Sequence, residues 1–112
     1  MPLPRLVRHL SDTKFTDFYE RRIPLDVRNQ VRMAHSFRGN SVTVFEERPH
    51  WQDASQWSKI PIAQVRYDAA QWQLYWADRN GKWHIYDSLQ PQKDFDRVIR
   101  EIDADLTRIF FG

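Results

Sequence analysis

The chain contains no cysteine and only three glycines in 112 residues. Without thiols it has no disulfide framework and no thiolate metal or redox site, and a reducing cytoplasm suits it. Long hydrophobic runs are missing too. No segment approaches the roughly 20 apolar residues of a membrane span, and Met1-Pro2-Leu3-Pro4-Arg5-Leu6-Val7-Arg8 holds no apolar stretch of signal-peptide length. A soluble cytoplasmic protein with no membrane partner is expected. Nor does one sign of charge prevail: 17 Lys and Arg face 15 Asp and Glu, for a net +2, which excludes a nucleic-acid tail held by bulk charge. There is no nucleotide loop, nucleophile elbow, repeat or low-complexity tract. His9, His35, His50 and His84 lack the paired spacing of a metal site, and Asp103 with Asp105 reads as the polar end of a helix. No metal and no cofactor are expected.

What is present is aromatic: seven Phe, five Trp and four Tyr, within an apolar fraction of 41%. Disordered chains are poor in such residues, and this length suits one core. Residues 1–12, with two prolines and scattered charge, read as an N-terminal arm, and residues 13–112 as a single α+β domain. From Thr13, the residues Phe15, Phe18, Tyr19 and Ile23 recur at helical spacing up to Pro24. A second helix is expected from Pro24 to just before Gly39-Asn40, with Val27, Val31 and Ala34 on one face and Arg28, Arg32 and His35 on the other. Residues 21–38 hold five Arg and one acid.

Val42 to Arg48, closed by Pro49, has the β-branched profile of a strand. After a loop over residues 49–59 with Trp51 and Trp57, three further strands are expected at Ile60–Tyr67, Trp72–Asp78 and Lys82–Asp87. Asn80-Gly81 reads as a two-residue type I′ hairpin. That turn pairs Ala77 with His84 and Trp76 with Ile85, and it puts Trp72, Leu74, Trp76, Trp83 and Ile85 on one face. Gln73, Tyr75, Arg79, Lys82, His84 and Tyr86 take the other face. A tight turn at Ala69-Ala70 pairs Tyr67 with Trp72 and adds Gln64 and Arg66 to that polar face. After Pro91 as helix opener, Phe95, Val98, Ile99, Ile102 and Leu106 form an amphipathic stripe. Trp76, Trp83, Phe95, Val98, Ile99 and Ile102 are expected to share one core, and Ile109-Phe110-Phe111 to dock as an apolar tail. The order of two helices, four strands and a helix implies an antiparallel sheet with helices on one face.

Several stretches together resemble one family: Arg38-Gly39, Val42 to Arg48 with Pro49-x-Trp51, Ile62-Ala63-Gln64-x-Arg66-Tyr67, Leu74-Tyr75-Trp76-x-Asp78-Arg79-Asn80, Trp83-His84-x-Tyr86 and Glu101-Ile102-Asp103. It is the bacterial family called domain of unknown function 3024, and the resemblance covers roughly residues 15–112. It implies a family and no activity. The family pattern has a Pro-Thr-Gly turn where this chain reads Leu106-Thr107-Arg108, and a Trp near Phe111.

Three functional readings compete. Glu46, Arg66 and His84, one from each of three expected strands, suit metal-independent RNA cleavage. A carboxylate or imidazole would take the 2′-hydroxyl proton, an imidazolium would protonate the leaving oxygen, and a guanidinium would hold the phosphate. The plainer alternative pairs Glu46 or Glu47 with Arg48 or Arg66 and leaves His84 solvated. Secondly, Arg66, Tyr75, Arg79, Lys82 and Tyr86 suit an open stacking platform for unpaired RNA bases, with Arg28 and Arg32 tracking phosphates from the second helix. Their plain alternatives are second-layer packing and a solvated helix face. Thirdly, Trp51, Trp57 and the apolar tail suit an adaptor that binds a protein partner, against a role in capping the core. Of these, RNA contact through the sheet face and the Arg-rich helix is the leading expectation.

Overall fold

The computed structural model describes residues 2–111. In chain order these form helix α1 (Arg5–Arg22), one 3-10 turn (Leu25–Val27), strands β1 (Arg32–Arg38), β2 (Ser41–Pro49), β3 (Trp57–Asp68), β4 (Gln71–Ala77) and β5 (Trp83–Ile85), and helix α2 (Phe95–Ala104). The strands make one antiparallel sheet in the order β1-β2-β3-β4-β5. The α+β class and the antiparallel sheet agree with the sequence reading. The element count does not, because one N-terminal helix stands for two and five strands for four.

Residues 5–12, expected as an arm, are the first turns of α1. Val7 packs against the core, Ser11 is buried with its hydroxyl donating 3.0 Å to the Arg8 carbonyl, and the Leu3 amide donates 3.2 Å to the Gly39 carbonyl. The segment is thereby tied to the sheet. Pro24 ends α1, since the residue before a proline avoids the helical region, and Ile23 is extended at φ −109°. No second helix follows. Arg28 instead donates to the Ile23 and Glu20 carbonyls at 3.2 and 3.4 Å, satisfying groups at the end of α1. From Arg32 the chain is extended. Met33 and Phe37 pack against the core and His35 lies beside Phe15, while Arg32, Ala34, Ser36 and Arg38 alternate with them. This period of two is masked in the sequence by the helical spacing of Arg28, Arg32 and His35.

Both helices lie on one side of the sheet. Val42, Val44, Ala63, Val65, Trp72 and Leu74 meet Phe15 and Phe18 from α1 and Phe95, Val98, Ile99 and Ile102 from α2. Each large aliphatic side chain buried there contributes about 1.5–3 kcal/mol. The α2 stripe is as expected, but its cap is Asp94, whose carboxylate accepts the Asp96 amide at 3.0 Å, rather than Pro91. At the far end Asp105 is left-handed, with φ +46°, and accepts the Phe110 and Phe111 amides at 3.0 and 2.9 Å. This folds the tail back, with Phe110 buried against Tyr86.

Two irregularities decide which side chains face away from the helices. The first is a bulge: Val44 pairs with Ala63 but Phe45 with Pro61, so Ile62 is extra on β3. A bulge shifts the alternation by one residue, and Pro61 suits the interrupted ladder because it has no N–H. The second is the β4–β5 hairpin, whose loop has three residues rather than two. Gly81 is left-handed at φ +79° whereas Asn80 is not, and the Asp78 carboxylate accepts the Asn80 and Lys82 amides at 2.8 and 3.0 Å. A type I turn with a glycine bulge results. Ala77 therefore pairs with Trp83 and Trp76 with His84, one step from the expected register, and all of β5 is turned over. Trp83 leaves the core and Tyr86 enters it. The Ala69-Ala70 turn, in contrast, pairs Tyr67 with Trp72 and Arg66 with Gln73 as expected.

Candidate functional site

The sheet side opposite the helices presents Arg32 and Arg38 from β1, Thr43, Phe45 and Glu47 from β2, Trp57, Lys59, Gln64 and Arg66 from β3, Gln73 and Tyr75 from β4, and Trp83 and Ile85 from β5. Cations and aromatic rings are matched across it. The Arg66 guanidinium lies 3.9 Å from the Tyr75 ring centroid, Arg32 lies 3.9 Å from Trp57, and the Lys59 ammonium 5.4 Å from Phe45. The bulge makes two of these pairs possible, since it turns Trp57 and Lys59 to this side.

Arg66 is held from two directions. Its Nε donates 2.7 Å to Gln64 Oε1, and Gln64 Nε2 donates 2.8 Å to the Thr43 hydroxyl. The guanidinium is thus held over the ring, and among the described residues its terminal nitrogens have no hydrogen-bond partner and no carboxylate pairs with it. Arg32 differs, because Glu47, buried at 6% exposure, accepts from it at 3.2 Å. Shallow grooves lie on either side of the Gln64–Arg66 ridge. One, about 360 Å³, runs between Thr43, Phe45 and Trp83, and the other, about 380 Å³, runs from Tyr75 and Arg66 to Asp68.

The expected cleavage triplet does not assemble. Arg66 faces away from the helices, whereas Glu46, opposite Met33, and His84, opposite Trp76, lie on the helix side. Glu46 accepts from Arg48 Nε at 2.7 Å. His84 is stacked 4.7 Å from Trp76, and its Nε2 is 2.7 Å from Asp78, a hydrogen bond that holds the Asp78 carboxyl below the usual carboxylate range. No single phosphate can sit among groups on two sides of a sheet.

Of the expected platform, Arg66 and Tyr75 stand together, and Arg79 and Lys82 are exposed in the adjoining hairpin. Tyr86 is buried, donating 3.0 Å to Glu101, because of the register change. Arg28 caps α1, and Arg32 belongs to β1 rather than to a helix. Phe45, Trp57, Lys59 and Trp83 are additions that the sequence reading placed elsewhere or left unassigned. Pro61 inside an expected strand was the available signal for the bulge.

A second polar cluster lies between α1 and β1. The His35 side chain, 8% exposed, has Nδ1 2.8 Å from the Tyr19 hydroxyl and Nε2 2.6 Å from Asp12 Oδ1. Burial, followed by the Asp12 charge, pushes the Tyr19 phenol far above its usual range. Tyr19 therefore stays protonated and can donate to His35, which fixes the ring. The sequence reading placed His35 on a solvated helix face and missed this contact.

Among the described residues, no group of three or more His, Asp or Glu is placed to hold a metal ion, and no helix is long and apolar enough to cross a membrane. No curated protein and no solved structure matches the chain. One family does, over residues 3–112. The chain therefore belongs to the family described as domain of unknown function (DUF3024).

Proposed function

We propose that this domain binds single-stranded nucleic acid, RNA foremost, on the helix-free side of its sheet. The observation that carries the reading is the fixed Arg66 on the Tyr75 ring, with no acid paired to it among the described residues. An unpaired base offers a π-face to an aromatic plane, and its phosphate offers oxygens to a guanidinium's free nitrogens. Arg32 with Trp57 and Lys59 with Phe45 repeat the pairing along the sheet, and Arg38, Arg79 and Lys82 add positive charge at its rim. A duplex keeps its base faces covered, so the platform favours single strands.

The test is anisotropy of a labelled single-stranded RNA titrated with the protein over a salt series. Binding that weakens as salt rises, and that a duplex of equal length does not match, supports the reading. No binding at low salt overturns it and favours a protein partner. For that alternative Trp51, 85% exposed, remains as an anchor. Trp57 lies against Arg32, and the tail is packed onto the core.

A further inference from the structure

We infer that the groove between Tyr75 and Asp68 takes a guanine base, with the Asp68 carboxylate on its Watson–Crick edge; this rests on the nucleic-acid reading above. The groove, about 380 Å³, is lined by Asn40, Arg66, Asp68, Gln73, Tyr75 and Pro91, with Gln73 directly across from Arg66 and Asp68 two residues further along β3. Arg66 lies over one face of Tyr75, so the base sits beside the guanidinium rather than on that face. Gln73 Nε2 donates 3.3 Å to the Leu74 carbonyl, and Asn40 Nδ2 donates 2.9 Å to the Tyr67 carbonyl. Because both partners are carbonyl oxygens, each amide must turn its nitrogen that way, which leaves the Gln73 and Asn40 carbonyl oxygens without a partner among the described residues. A carboxylate only accepts, and no cation is paired with that of Asp68 among the described residues.

The groove therefore combines the acceptors of Asp68, Gln73 and Asn40 with the donors of Arg66. Among the four RNA bases, guanine alone sets two donors side by side, N1–H and the N2 amino group, and these match the two oxygens of one carboxylate. Its O6 and N7 acceptors are the partners that arginine takes most often. Adenine and cytosine put a ring acceptor beside their single amino group, so that lone pair would face the carboxylate. Uracil flanks its one N–H with two carbonyls. The neighbouring turn fits the same purpose: Ala69 and Ala70 have φ +51° and +62°, a left-handed conformation that alanine rarely adopts. Ala69 lines the groove.

The experiment compares labelled octauridylates carrying one central guanosine, adenosine, cytidine or inosine. Guanosine is expected to bind about tenfold tighter than adenosine or cytidine, as for a bidentate base contact, and inosine, which keeps N1–H but lacks the amino group, should fall between. Asp68→Asn should make the guanosine, adenosine and cytidine oligonucleotides bind alike, with an unchanged melting temperature reporting an intact fold, and a guanosine preference kept by this variant overturns the inference. Gln73→Met should reduce the preference. Competition by GMP but not AMP would identify a free nucleotide as sufficient, and a preference seen only in the oligonucleotide would identify RNA as the source of the base. Equal affinity for all four oligonucleotides overturns the guanine inference and leaves the platform intact. Failure to bind any of them overturns both.

Discussion

Arg66 and Tyr75 sit on adjacent strands with the guanidinium carbon 3.9 Å from the ring centroid, and the Gln64–Thr43 hydrogen bond behind them keeps Arg66 from swinging away. A pair so prepared has little side-chain freedom left to lose on binding a flat ligand.

Separate alanine substitutions should divide its two roles. Tyr75→Ala is expected to weaken single-stranded RNA binding by about 1–3 kcal/mol, the usual worth of one base stacked on an aromatic ring, with the salt dependence unchanged. Arg66→Ala should weaken binding and lower the slope of log affinity against log salt by about 0.7, the value for one phosphate contact on a single strand. Anisotropy titrations at four salt concentrations read both, and identical slopes for the two variants would refute the division.

Gly81→Ala should destabilise the fold by about 1–2 kcal/mol, which is the cost of holding an L side chain left-handed. No atom lies within 4 Å of the added carbon, so the loss comes from the backbone alone. Urea unfolding gives the number, and a midpoint equal to that of the parent would contradict it.

The opposite change applies at Arg108, which has φ +58°. Arg108→Gly is expected to raise stability by about 0.5–1 kcal/mol, because relief of the left-handed strain exceeds the extra freedom that glycine gives the unfolded chain. A lower melting temperature for the variant would sink this account.

Tyr19 sets an alkaline limit. Its phenol is raised in the fold by burial and then by Asp12. The folded state therefore keeps a proton that the unfolded chain releases above about pH 10. Stability is complete below that pH and falls as the pH climbs from there toward the folded value. Tyr19→Phe should lose about 1 kcal/mol at neutral pH, with the hydrogen bond to His35, yet decline less steeply above pH 10. Urea midpoints from pH 7 to pH 11 test it, and parallel curves would exclude Tyr19 as the source.

Trp76 and Trp83 show why the sheet was only partly legible. The apolar spacing of Phe95, Val98, Ile99 and Ile102 and the Ala69-Ala70 turn located the core, α2 and the β3–β4 pairing, since each is a local pattern. The hairpin register hung on whether Asn80-Gly81 or Asp78 governs the loop, and dipeptide preference pointed to the wrong one. Asp78 accepts two amides and adds one residue to the loop. That residue moved Trp83 out of the core and separated His84 from Arg66. Arg66 and Tyr75 share one side of the sheet as expected, because they belong to β3 and β4, whose pairing does not depend on that loop. In residues 28–38, spacings of four and three fit a helix as well as the alternation of a strand, and only the tertiary partners Phe15 and Val44 decide between them.

The unbroken strand order has a bearing on how the molecule assembles. Every pairing in the sheet joins neighbours in sequence, so each ladder closes a short loop and can zip up early. The helices are another matter: Lys14 on α1 meets Asp96 on α2 across 82 residues of chain. That closure costs the most entropy and comes last unless the meander has already drawn the ends together. The sheet then serves as the template on which the two helices find each other. Mutations at the α1–α2 contact should accelerate unfolding more than they slow folding.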